Sequence, residues 1–489
     1  MGVEKNIVAI ELASSAIRGI IGQRRADGSL QILGYEKEVA PDAIRKGTIY
    51  NIDKTVAAIT AIKTRIEERH KVYVNRVYVG LAGQSLRSVG NTVIRQLDTH
   101  VPINDDIVDS LMMENRAKGY GEAEILDTLP QEYNVGSRPT NEPVGIMADR
   151  IEGQYKNVIA RRTLRENIHH VMQLAQLEVA NYFISPLLLA AYVLSDTEKR
   201  SGCALVDFGA ETTTVAIYEK NILRHLVVIP LGSHNITTDI ATGLHVDIDE
   251  AEQLKRTLGS AWTEQEDIPA DTIDITGNRK IPHKTILNII EARQQEILAN
   301  VWEQIRSYED KLLSGIIFTG GGANIRNLET AFNQLFHFDK VKTRQMPSPT
   351  EFPTPLKIDL QSNNIATLIA MLRRGDDHCT SDKPLEPGLF DQRTTTGASA
   401  AGASTNDPNT QIGQGIVNHT TTTNDPDATT TVPGGSATGA SDPDDTTASG
   451  GSSAGTSATD DTQQTKQPNA LSRFGKWLRS RAEVLVEAQ

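Results

Sequence analysis

Two β-rich runs open the chain, NIVAIEL and AIRGIIG, separated by the small residues Ala13, Ser14 and Ser15. Nearly unbroken apolar residues on both sides of a small-residue turn predict a hairpin of buried strands. A third strand-like run, SLQILGYEKEV, follows. At residues 51–70 the spacing changes: Val56, Ile59, Ile62 and Ile66 recur every three or four positions. That predicts an amphipathic helix, after which RVYVGLAG (residues 76–83) returns to strand. The pattern then comes round again. A helix is expected at 164–177, an apolar helix at 186–194, and strands in GCALVDFGAE, TTVAIYE and ILRHLVVIPLG. Two passes of hairpin, strand and helix predict an α/β fold duplicated within one chain, with a ligand between the halves.

Residues 84–162 interrupt the repeat. They read as strands, a polar helix in INDDIVDSLMMENRAKG and a loop in LPQEYNVGSRPTNEPVG, together a small α/β unit inserted into the first domain. The expected division is a first domain at 1–83 and 163–200, the insertion at 84–162, and a second domain at 201–375 with a lobe at about 246–310. From Asp376 the chemistry changes. Between Asp391 and Asn469 the large apolar residues are Ile412, Ile416, Val417 and Val432. Too little apolar surface is on offer there to offset the entropy of ordering, so 376–468 is expected to be a disordered linker. Its root-mean-square reach is on the order of 50 Å.

Apolar periodicity returns at 469–489, NALSRFGKWLRSRAEVLVEAQ. On a helix Leu471, Phe474, Leu478 and Leu485, with neighbouring Trp477, share a face flanked by Arg473, Lys476, Arg479 and Arg481. Asn469 after Pro468 suits an N-cap. Gly475 and the short length leave the helix weak in water. A segment that folds on an anionic bilayer, apolar face down, fits this pattern best. Docking onto the folded body, or binding a protein partner as a peptide, are the competing readings.

Composition narrows the class. A net charge of −13 over 489 residues argues against a protein that coats nucleic acid, so none is expected as a partner. Cys203 and Cys379 stand far apart, as in a reduced compartment. The N-terminus lacks a signal-peptide pattern, and the longest apolar run, PLLLAAYVL, is half a membrane span. These features predict a cytosolic protein.

Candidate chemistry sits at three turns. No Gly-x-x-x-x-Gly-Lys-Ser/Thr is present, and TGGGANI puts Ile325 where the dinucleotide fingerprint needs its third glycine. The first turn carries Glu11, Ser14 and Ser15; the second Asp207, Gly209 and Thr212 to Thr214; the third Thr319, Gly320, Gly321 and Gly322. Tight turns aim backbone N–H groups and hydroxyls at phosphate oxygens, and glycine lets the backbone approach. Glu11 and Asp207, one from each hairpin, suit a hydrated Mg²⁺. The Gly320–Gly322 run suits a nucleoside lying on the backbone. His169, His170 and His283 lack the spacing of metal ligands and read as solvated or core residues.

In order and wording these turns resemble the actin/heat-shock-chaperone/sugar-kinase ATPase superfamily, and within it the FtsA family of bacterial cell-division proteins. AIELASSAIRGIIG is similar to the first phosphate motif, ALVDFGAETTTVAIYEKNILRHLVVIPLG, closing on Gly232, to the second, and GIIFTGGGANIRNLETAF to the adenosine motif. DEAEQLKRTLG resembles the helix whose Glu and Lys, here Glu252 and Lys255, approach the ribose. The insertion falls where FtsA has its own subdomain, and the resemblance covers roughly residues 6–375.

The resemblance implies ATP and Mg²⁺ as cofactors and self-association into actin-like filaments. It also implies a role at the division septum, on the cytoplasmic side of the membrane. There the protein would tie the FtsZ polymer to anionic lipid and recruit later division proteins. It aligns Arg293 with an Arg that contacts the C-terminal peptide of FtsZ. On its own helix, 285–307, Arg293 also reads as a stem packed beside Ile286, Ile290 and Ile297. Two departures stand out. Glu11 replaces an Asp, and Ser185 stands where chaperones carry a water-orienting Glu, which implies weak or no hydrolysis. A sugar- or acetate-kinase-type phosphotransferase or a chaperone-like ATPase are the alternatives, and neither has a use for the tail.

Overall fold

The turn at Ser14 and Ser15 pairs Ala13 with Ala16, and from that pair the register of the first hairpin follows. Strands β1 (Lys5–Ala13) and β2 (Ala16–Arg24) run antiparallel, and β3 (Leu30–Glu38) adds to β2. The structure is a computed structural model and describes residues 4–344 and 365–382. A small hairpin, β4 (Ile44–Arg45) and β5 (Thr48–Ile49), leads into α1 (Ile52–His70). Asn51 caps α1 by accepting from the Lys54 N–H, and Ile59, Ile62 and Ile66 are buried as their spacing predicts. Then come β6 (Tyr73–Val74) and β7 (Arg76–Leu81), the latter parallel to β1.

The interruption holds β8 (Arg87–Pro102), α2 (Asp105–Arg116), β9 (Ala123–Val135), β10 (Arg138–Thr140) and β11 (Met147–Arg161). Much of the expected loop at 129–145 is therefore strand. Gln131, Tyr133 and Val135 alternate inward, and Gly136, at φ 61°, turns the chain into β10. Pro130 and the polar neighbours disguised that period. Val93, Tyr133, Val135, Ile151 and Tyr155 form a small core with Leu111 of α2.

The chain continues through α3 (Arg162–Leu174), β12 (Glu178–Ile184), α4 (Ser185–Val193) and α5 (Asp196–Ser201). The second pass is β13 (Cys203–Phe208), β14 (Thr213–Glu219) and β15 (Ile222–Ile229), followed by α6 (Ser233–Leu244) and α7 (Ile248–Leu258). A hairpin of β16 (Thr272–Ile275) and β17 (Arg279–Pro282) precedes α8 (His283–Ile305). After it come β18 (Ile316–Thr319), α9 (Leu328–Phe336) and β19 (Val341–Thr343).

The duplication is explicit in the strand order. One sheet runs β3-β2-β1-β7-β12, and the other contains β15-β14-β13-β18-β19. Each is an antiparallel meander of three followed by two parallel strands. The inserted strands extend the second of these sheets: β8 meets the edge of β15 at the pair Val227–Arg87. Central β13 is apolar on both faces. Ala204, Val206 and Phe208 pack with α6, α8 and α9, whereas Cys203 and Leu205 join the core around the first sheet.

Two expectations at the end of the folded body need correction. The second domain was expected to run to 375, but α10 (Ala366–Arg374) packs on β1, β2 and α4 in the first core. The linker was expected from 376, but the packed chain continues through β20 (Thr380–Ser381), which pairs with β6. The Asp376 and Asp377 N–H groups donate to the Tyr78 hydroxyl, and the Cys379 N–H donates to the Asn6 carbonyl at 2.7 Å. Backbone pairing holds this stretch, and apolar composition does not report backbone pairing. Both cysteines are free and buried, and burial pushes the Cys203 thiol to about 12 and Cys379 to about 11. Among the described residues no helix is long and apolar enough to cross a membrane. The amphipathic segment at 469–489, and the linker beyond residue 382, lie outside the described residues.

Candidate functional site

Glu11 lies near the end of β1, where the register sets it directly across from Arg18 on β2. Arg18 Nη1 donates to Glu11 Oε2 at 3.1 Å and Nη2 to Ser15 Oγ at 2.7 Å. The guanidinium is nearly sequestered, with Arg18 5% exposed, and its Nε has no hydrogen-bond partner among the described residues. Ser14 Oγ accepts from the Gly47 N–H of the β4–β5 turn at 3.0 Å.

The second hairpin has the same plan and a different occupant. Asp207 faces Thr214 across β13 and β14, and among the described residues no cation pairs with it. Protein atoms crowd its carboxyl, although part of the residue still meets solvent. Burial, and then the nearby charge of Glu11, push Asp207 up to about 7. The duplicated acids are thus close enough to feel each other. Gly320, at φ 90°, makes the crowding possible, because a Cβ there would fall 2.3 Å from Asp207 Oδ1. The turn itself is tight: the Gly209 N–H donates to the Thr212 carbonyl at 2.8 Å. A Cβ at Gly232 would lie 2.5 Å from the Ala210 carbonyl, so Gly232 fits only as glycine against that turn.

The third turn departs from expectation in detail. Gly321 and Gly322 belong to a 3-10 turn, Gly321–Asn324, and α9 begins only at Leu328. Gly322 packs on Phe208, where a Cβ would sit 2.9 Å from the Phe208 Cβ.

The predicted ribose pair is brought together. Lys255 Nζ lies 2.6 Å from Glu252 Oε2, and both bond Thr237 Oγ1 on α6. Burial alone would raise the Glu252 carboxyl, but hydrogen bonds from Lys255 and Thr237 outweigh it and hold the group low. Lys255 also donates to the Ser233 carbonyl at 3.1 Å, and the Ser233 N–H donates to the Gly209 carbonyl at 3.0 Å. A continuous bonded path therefore links α7 to the Asp207 turn. Ser185 opens α4, buried, with its Oγ where a Cβ on Gly80 would collide at 2.3 Å. The Arg293 head is already engaged by Asp239 of α6, at 2.5 and 3.0 Å, and by Glu296. His169 meets the Tyr182 hydroxyl at 3.1 Å and His283 meets Asp271 at 3.0 Å. Among the described residues no group of three or more His, Cys, Asp or Glu is placed to hold a metal.

Sequence reasoning passed over two participants. Arg18 was recoverable, since a turn at Ser14 and Ser15 forces Glu11 opposite Arg18 by counting. The second is the β4–β5 turn. Its Lys46 N–H donates to the Glu211 carboxylate of the second hairpin while Gly47 holds Ser14 of the first, so it ties the two turns together. No local signal announces a contact between residues so far apart.

The fold is mixed α/β, duplicated and actin-like. Across 75% of this chain and 98% of the other, it matches a PilM-PilN type IV pilus biogenesis complex at a TM-score of 0.54 with 14% identity, a likeness of fold alone. The model of the family described as cell division protein FtsA matches residues 204–370, and that of the SHS2 domain inserted in FtsA matches residues 83–159. The chain belongs to the FtsA family. Among FtsA relatives it is 28% identical to that of Porphyromonas gingivalis, covering 67% of this chain and 70% of that one. It is 29% identical to the Bacillus subtilis FtsA, covering 65% and 73%, and 23% identical to the Escherichia coli FtsA, covering 68% and 82%.

Proposed function

We propose that this FtsA-family protein binds ATP with Mg²⁺ at the paired hairpins and tethers the FtsZ polymer to the cytoplasmic face of the membrane at the division septum. The observation that carries the nucleotide reading is the pair of acids at equivalent positions of the duplicated sheets, near enough that Glu11 raises Asp207. The residues fit the cofactors. Two carboxylates offer the hard oxygen donors Mg²⁺ prefers, and Gly209, Gly232 and Gly320 let the turns pack tightly around Asp207, where a Cβ would strike the Thr212 carbonyl, the Ala210 carbonyl or Asp207 Oδ1. Bound Mg²⁺ would supply positive charge to the phosphates. Glu11 and Asp207 would hold it through water, Ser14 and Ser15 would face the phosphates, and Glu252 with Lys255 the ribose. Ser185 supplies no base, so turnover is expected to be weak or absent.

Family membership supports the cell-division role, filament formation and recruitment of later division proteins. The basic, aromatic segment at 469–489 supports attachment to anionic lipid. The lobe at about 246–310 is the expected seat of the FtsZ C-terminal peptide, whose acidic groups would compete with Asp239 and Glu296 for Arg293. Co-sedimentation with anionic liposomes tests the tether. The full-length protein with ATP and Mg²⁺ should carry FtsZ into the pellet, and deletion of 469–489 or Trp477→Glu should leave both in the supernatant. Retention of liposome binding after the deletion overturns the tether.

A further inference from the structure

Where the inserted strands meet the second duplicated sheet, a cleft of about 400 Å³ opens that the nucleotide reading does not use. Its walls include Thr92 of β8, Gln154 and Lys156 of β11, Arg224 of β15, and Tyr308 just beyond α8. Lys156 pairs in register with Gly90, and a Cβ built at Gly90 would lie 4.0 Å from the Lys156 ammonium. The missing side chain leaves that ammonium room in the cleft.

The charges in the cleft do not balance. The half-buried Lys156 ammonium makes no hydrogen bond or ion pair with any described residue, and burial followed by the charge of Arg224 depresses its pKa. His225 is depressed too, by burial first and with a contribution from Lys156. Arg224 Nη1 donates to Gln131 Oε1 at 3.1 Å, and its Nε lies 3.3 Å from Glu219 Oε2, without hydrogen-bond geometry. Arg224 thus has one carboxylate beside it, and Lys156 has none among the described residues. Around them the side chains of Thr92, Gln154 and Tyr308 also lack a hydrogen-bond partner among the described residues. Burial holds the Tyr308 hydroxyl in its protonated, donating form.

We propose that this cleft binds the phosphate group of a small polar molecule. A repelling pair of cations ringed by neutral donors is costly empty and satisfied by an oxyanion carrying more than one charge. Arg224 offers a planar fork and Lys156 a point charge. The volume exceeds that of a lone ion, since a water takes about 30 Å³ of liquid, and the remainder lies beside the amide of Gln154 and the ring of Tyr308. The wall residues come from both the insertion and the second sheet, so an occupant would brace the joint made by the Val227–Arg87 pair.

The test titrates the full-length protein with inorganic phosphate and with glycerol phosphate, at ionic strength held constant with sodium chloride, by calorimetry and thermal unfolding. Saturable binding is expected, tighter for glycerol phosphate, with reduced hydrogen exchange in β8 and β15. Lys156→Gln together with Arg224→Gln should weaken it by about tenfold or more, while Lys156→Arg retains it and Asp207→Asn leaves it untouched. Without phosphate, Lys156→Gln should unfold at a higher temperature than the parent, because it removes the repulsion. If Arg224→Gln unsettles the fold, Lys156→Gln alone decides. No saturable response in the parent, or an unchanged response in the Lys156→Gln variants, overturns the proposal.

Discussion

The two hairpins hold the same place in the strand order of their sheets, yet their acids live in opposite circumstances. In the first, Glu11 meets Arg18 across the ladder and is neutralised inside its own hairpin. In the second, Asp207 meets Thr214, finds no counter-charge among the described residues and is pushed up to about 7. Duplication supplies the geometry, and one cross-strand partner decides the charge. The first hairpin thus carries a settled ion pair, and the second an acid whose ionisation at neutral pH responds to the charge placed beside it.

The comparison breaks most severely at Arg18. Arg18→Met leaves Glu11 half-buried and unpaired, and should cost about 3 kcal/mol of stability by denaturant unfolding. A loss below that for ordinary surface pairs would show that the pair is not what steadies the hairpin. Next is the acid on the other side. Asp207→Ala should weaken Mg²⁺-dependent ATP binding by about 100-fold in calorimetry, and unchanged affinity moves the nucleotide elsewhere.

Asp207→Asn sharpens the contrast through pH. A carboxyl raised in the folded state binds protons more tightly there than in the unfolded chain. Its contribution is present in full below about 4, where both states are protonated, and is lost as pH rises to about 7. The Asn variant escapes that loss. Its melting temperature should exceed the parent's by a few degrees at pH 8, with about 1 kcal/mol worth roughly 2–4 °C, and the gap should close towards pH 4. A gap independent of pH contradicts the raised pKa. The smallest effects belong to the turn that joins the hairpins. Glu211→Ala should cost about 1–2 kcal/mol and Ser14→Ala about 1 kcal/mol or less, since the charged acceptor makes the stronger bond. The reverse order would put the weight of the tie on the first hairpin.

Much of this molecule was legible from local pattern alone. Turn residues at Ser14 and Ser15, the inward spacing of Ile59, Ile62 and Ile66, and the two apolar hairpins determine elements, faces and even the register that opposes Glu11 to Arg18. These are readable because side-chain period and turn length are properties of neighbours in sequence. The acids and glycines of the three turns were legible for the same reason. Tertiary structure alone decided that α10 and β20 return to the first core, since a short amphipathic helix fits any apolar face that has space. It also decided that the inserted strands join β15, that Lys46 reaches Glu211, and that Lys156 and Arg224 confront each other. Above all it decided that the Asp207 carboxyl is crowded and raised. Solvation and Coulomb energy depend on distances between atoms brought together from remote parts of the chain, and those distances exist only once the surfaces have met.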